Sequence, residues 1–132
     1  MKSLLIKALL LGMGALVVTT SAFAHHSVSA AFDAERTIAF EGVVTKVDWF
    51  NPHIWFYLTL EGSDGTSADY QCEGSSPNAL RRRGWTKDSL KIGDQISVDG
   101  LVARNAPFSC YAQVVKLADG TRLFSGNAAE IE

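Results

Sequence analysis

Three histidines are the residues of this chain best suited to chemistry, and they fall in two short motifs. His25 and His26 follow Ala22-Phe23-Ala24, a small-residue pattern of the kind signal peptidase cuts. Cleavage after Ala24 would leave a mature chain beginning His-His-Ser. A free α-amine and two imidazoles would then lie within two residues. The amine has a reference pKa of about 7.7–8.0, so Cu(II) can displace its proton near neutral pH. Copper also stands at the top of the affinity order for nitrogen ligands. His26 offers a second mode, through the amine, the first amide nitrogen and its own ring. The plainer reading is a polar cleavage flank on a frayed arm.

The third histidine, His53, closes Asn51-Pro52-His53. It is either a loop histidine that hydrogen-bonds the turn or a third imidazole for the metal. Glu73 is expected near it by hairpin geometry, as a direct ligand, as a group that orients the ring, or as a simple strand-end carboxylate. Trp55 and Tyr57 alternate with Phe56 and Leu58, so they fall on the opposite strand face. Beside Trp49 and Asn51 they form a candidate ligand or partner face. The competing reading is that the arm, the helix or a second subunit covers them. Cys72 and Cys110 are the only cysteines. In an oxidising compartment they are expected to pair, closing a loop of about 38 residues for roughly 3–4 kcal/mol. Two buried free thiols are the alternative. No G-x-S-x-G, H-E-x-x-H, phosphate loop or C-x-x-C occurs, so no catalytic residues are assigned.

The elements that must position these residues follow from composition and periodicity. Lys2 and Lys7 and an apolar run from Ala8 to Val18 complete the export pattern over residues 1–24. That run is shorter than the about 20 residues of a spanning helix, so no stable membrane insertion is expected after cleavage. The remaining 108 residues suit one domain. Ten of the 12 Lys+Arg remain in it against 14 Asp+Glu, a net charge near −4 that does not seek nucleic acid. Periplasmic or secreted localisation is expected.

Residues 25–36 are small and polar and read as an N-terminal arm. Thr37 to Trp49 reads as a first strand, with Gly42 marking a bulge or bend. Ile54–Glu61 and Ser67–Glu73 follow around a Gly62-Ser63-Asp64-Gly65 turn. Ser76 as N-cap and Pro77 as first residue open a short helix that runs to Arg83 and stops at Gly84. Arg81-Arg82-Arg83 then complements the helix dipole. Strands at Gln95–Arg104, Cys110–Leu117 and Arg122–Phe124 complete a domain over 37–126, before a tail at 127–132. Three strands, a helix, then two or three strands is the order of a small, mainly β, OB-like barrel. An open antiparallel sheet with one helix packed on it is the alternative.

This layout sets a geometric difficulty for a shared metal site. A 12-residue arm reaches at most about 40 Å, and a 13-residue strand spans about 43 Å. The arm meets His53 only if it runs back almost extended, if strand one bends, or if two molecules share the ion as a homodimer.

Four stretches resemble a family of small exported bacterial proteins known only as a domain of unknown function. They are His25-His26-Ser27, Trp49-Phe50-Asn51-Pro52-His53, Glu73 to Leu80 with Arg82-Arg83-Gly84-Trp85-Thr86, and Leu90-Lys91-Ile92-Gly93-Asp94. Asp119-Gly120 also fits. The resemblance implies no assigned activity, and the two cysteines lie outside its motifs. Three functions are therefore carried forward. The first is an exported binding protein for copper, held by His25, His26 and His53. The second is a metal-free OB module binding a partner protein or small ligand through its aromatic face. The third is a copper oxidase or oxygenase.

Overall fold

The structure, a computed structural model, describes residues 28–126. Two short helices and six strands follow the order α1 (Val28–Ala31), β1 (Phe32–Asp48), β2 (Trp55–Glu61), β3 (Ser67–Glu73), α2 (Pro77–Arg82), β4 (Gln95–Ala103), β5 (Ser109–Leu117) and β6 (Arg122–Phe124). The strands hydrogen-bond in the order β3-β2-β1-β4-β5-β6. A parallel pairing of β3 with β5, Gln71–Glu73 against Ser109–Tyr111, joins the two sides of the sheet into a ring. That seam makes the fold an OB-like barrel and excludes the open sheet. The disulfide Cys72–Cys110 lies in the seam, between directly paired residues whose Cα atoms are 4.6 Å apart.

Strand β1 makes the ring possible because it serves two partners. Its residues Phe32, Asp33 and Thr37 to Val43 pair with β4, with residues 34 to 36 bulging out of the ladder, and Val43 to Asp48 pair with β2. It begins at Phe32, not Thr37, and one turn of helix precedes it where an arm was expected. The bulge in the β1–β2 pairing falls between Val44 and Lys46, so Thr45 is the extra residue and Gly42 is not. Gly42 serves close approach instead. A Cβ there would stand 3.0 Å from the Thr59 carbonyl oxygen, closer than ordinary contact, so glycine favours the close approach of β1 to β2. Gly100 does the same in β4, where a Cβ would come within 2.4 Å of the Tyr111 carbonyl oxygen.

The bulge also resets which residues face inward. Before it, Ile38, Phe40 and Val44 turn to the core; after it, Val47 and Trp49 do. The inner face of β2, Phe56 and Leu58, meets Ile96, Val98, Ala112 and Val115 inside the ring. Helix α2 and the following turn close this interior with Leu80, Trp85 and Leu90. Ser76 caps α2, its hydroxyl accepting from the Ala79 N–H at 3.4 Å. A smaller cluster lies outside the ring. There Phe32 packs on Leu101 and Tyr111, flanked by Val28 and Ala103, and this folds the start of β1 over the barrel wall.

Candidate functional site

His53 stands in the β1–β2 loop, just after a cis Asn51–Pro52 peptide. Its backbone neighbour Ile54 is fully buried and bonds with the end of β3: Gly74 N–H donates to the Ile54 carbonyl at 2.9 Å. This pairing continues the β2–β3 ladder, in which Trp55 faces Glu73, and it brings the His53 ring to the Glu73 carboxylate. His53 Nδ1 and Glu73 Oε1 are in direct contact. The imidazole side chain is 37% exposed and the carboxylate 15%. A carboxylate on Nδ1 fixes the ring and leaves Nε2 as the free nitrogen, the arrangement that commonly orients metal-binding histidines.

Glu73 also lines a cavity of about 300 Å³ on the outer face of β2 and β3. Its walls include Trp55 and Gln71 from those strands, Asn105 and Ser109 from the β4–β5 loop and its exit, and Ala31 and Phe32 from the N-terminal segment. The start of the described chain and the Glu73 end of β3 therefore share one cavity. The separation expected across a straight first strand does not exist, because β1 bends around the barrel and Phe32 is pinned beside Tyr111. Of the expected metal donors, His25 and His26 lie outside the described residues, as does the export segment. Among the described residues no three His, Cys, Asp or Glu side chains gather in a metal-binding group.

The expected aromatic face divides. Trp55 and Tyr57 are half-exposed on the outer face, Trp55 in the cavity beside Glu73 and Tyr57 in a second one further along the strand. Asn51 is exposed in the loop. Trp49 does not belong to this face. It packs against the core, and its Nε1 is buried with no hydrogen-bond partner among the described residues. The bulge at Thr45, which single-strand alternation does not reveal, turns it inward.

Sequence reasoning missed Gln71, which alternation places beside Glu73 on β3, and the β4–β5 loop residues, which reach this face only because the β3–β5 seam brings them there. Arg83 was also misjudged as one of three dipole-facing cations. Arg81 and Arg82 are exposed in the last turn of α2, whereas Arg83 turns inward. Its Nη1 donates to the Ser125 carbonyl at 2.9 Å and to Ser75 Oγ at 3.2 Å. Trp85 Nε1 donates to the Phe124 carbonyl at 3.1 Å. The arginine-glycine-tryptophan motif therefore clasps the end of β6. Both cysteines are consumed in the disulfide, so Cys72 offers neither a nucleophile nor a thiolate ligand. Among the described residues no helix is long and apolar enough to cross a membrane.

An OB-like barrel with a histidine–carboxylate pair at one end of its outer face is a class of architecture rather than of activity. The chain belongs to the family described as a family of unknown function (DUF6152), which matches residues 14–109. That stretch covers both histidine motifs, β1 to β4 and α2, and ends one residue before Cys110. No curated protein matches the chain.

Proposed function

We propose that this is an exported binding protein that holds one Cu(II) ion between its processed N-terminus, beginning at His25, and His53. The observation that carries the reading is the His53–Glu73 contact at the rim of a cavity whose other wall is Ala31 and Phe32. From Ala31 back to His25 is six residues, and with Val28–Ala31 helical the reach is up to about 15 Å. The amine and ring of His25 supply a chelate, His26 an alternative ring, and His53 Nε2 a ligand from the folded barrel. The disulfide fits an oxidising compartment, and the Ala22-Phe23-Ala24 pattern supports a cut before His25.

Protein carrying its own mature N-terminus should take up one Cu(II) and give an axial EPR spectrum with nitrogen hyperfine structure. One residue added ahead of His25 should cost most of the affinity, because it separates the amine from the His25 ring. Unchanged affinity in the extended protein would show that the amine is not a ligand.

The second reading is a metal-free OB module that binds a ligand or partner on the outer face. It is favoured by the half-exposed Trp55 and Tyr57, each lining a cavity on one continuous face.

A further inference from the structure

The larger outer cavity, about 560 Å³, lies beyond Gln71 from the histidine site, a volume in the range of small-molecule sites. Its floor is the outer face of β2 and β3, with Tyr57, Thr59, Asp69 and Gln71; Lys46 forms one side and Phe108 the other. We infer that this groove binds an uncharged saccharide, with the Phe108 ring as the apolar platform and Asp69, Gln71 and Thr59 as its hydroxyl partners.

Phe108 carries the inference. It is 57% exposed, and its φ of 54° places it in the left-handed region that bulky residues avoid. Turns that need only this conformation take glycine or asparagine, so a phenylalanine here holds its ring in water against its backbone preference. The ring is also fixed. The Phe108 carbonyl accepts from the Gln71 N–H at 3.0 Å, and the ring meets Tyr70 edge-on at 5.7 Å, which in turn packs on Phe40 at 4.8 Å. An exposed, buttressed aromatic ring lining the same groove as the Asp69 carboxylate, the Gln71 amide and the Thr59 hydroxyl suits a ring with one apolar face and a hydroxyl rim, which describes a pyranose.

Charge decides against the other occupants. Among the described residues the one cation lining the groove is Lys46, and its ammonium is already held by Asp48 at 2.6 Å and by the Tyr57 ring at 4.8 Å. Asp69 adds a carboxylate on the floor, with one oxygen engaged by the Thr59 hydroxyl at 2.8 Å. A phosphodiester would meet this carboxylate with no free cation in the groove lining to offset it. An extended peptide would seek a free strand edge, whereas the groove offers a strand face.

This gives the ligand-binding reading a chemical class and does not depend on copper. The test therefore uses metal-free mature protein, titrated with cellotetraose, maltotetraose and N-acetylated chitotetraose while backbone amide shifts are followed. At least one saccharide should bind in the millimolar range or tighter and shift the Gln71 and Phe108 amides. Phe108→Ala should weaken that binding about tenfold, as loss of one stacking contact does, while Phe108→Trp retains it. Gln71→Ala should weaken it too, with the backbone bond to Phe108 intact. Silence towards all three sugars, or undiminished binding in Phe108→Ala, overturns the inference. So does occupation of the groove by an unstructured peptide or a thymidine oligonucleotide in place of sugar, although the ligand-binding reading would then stand.

Discussion

His53 and Glu73 show what a single contact adds to a motif. In sequence they are two polar residues 20 apart; in the barrel the carboxylate engages Nδ1 and leaves Nε2 as the nitrogen it does not occupy. Glu73→Gln should therefore leave the fold intact and weaken Cu(II) binding by about tenfold, as loss of an outer partner of a metal-binding histidine does. An effect as large as that of His53→Ala would instead make Glu73 a ligand. Two other carboxylates act only on turns. The Thr66 hydroxyl, then its N–H, hold the Asp64 carboxyl below the usual range; the Thr121 N–H, then its hydroxyl, do the same for Asp119. A lowered folded pKa means the ionised form is the one stabilised. This contribution is present above the ordinary Asp value and lost as pH falls through the lowered one. Hydrogen-exchange protection of the Thr66 and Thr121 amides, relative to their intrinsic exchange rate at each pH, should accordingly hold steady from neutral pH down to the ordinary carboxylate range and fall below it. Protection that fell at higher pH would contradict the assignment.

At the scale of elements, most of the strands and the helix were legible. The alternation of Ile54 to Leu60 gave β2, and Ser76-Pro77 with Gly84 bounded α2, because these signals are local. The start of β1 was not legible: residues 33 to 37 are charged or small and mostly exposed, so no alternation marks them as a strand. Asp33 and Thr37 are strand because they pair with Val102 and Leu101 of β4, and residues 34 to 36 bulge between them without a β4 partner. Trp49 was misplaced for a related reason, since the phase change at Thr45 is a property of the β1–β2 pairing. The groove wall at Phe108 depends on the β3–β5 seam and leaves no mark in either strand alone. Arg83 and Trp85 belong here too. Arg83→Ala should cost about 1–3 kcal/mol, because it removes charge-assisted bonds to the Ser125 carbonyl and Ser75. Denaturant unfolding measures it, and exchange at β6 should rise first; a change within a few tenths of a kcal/mol would show that the clasp is idle.

For the whole molecule, the ring is closed by only three residue pairs between β3 and β5, and the disulfide lies among them. Replacing both cysteines by alanine should lower stability by about 2–4 kcal/mol. Thiol titration of the denatured, unreduced protein should find none free. Two reactive thiols would contradict the sealed seam. The bent first strand is the other global feature, because it returns the start of the described residues to the Glu73 end of β3. This makes a shared metal site possible within one molecule, without a nearly extended arm or paired half-sites.

Copper shared between arm and barrel must stabilise the fold, whereas copper held by the N-terminal peptide alone binds folded and unfolded chains alike. The deciding measurement is denaturant unfolding of protein with its authentic His25 terminus, with and without Cu(II). At free metal about a hundredfold above the dissociation constant, stability should rise by up to about 2.7 kcal/mol, and His53→Ala should abolish the rise. Tight Cu(II) binding with no gain in stability, or a gain that persists in His53→Ala, would contradict a site built from both ends of this chain's histidine pattern.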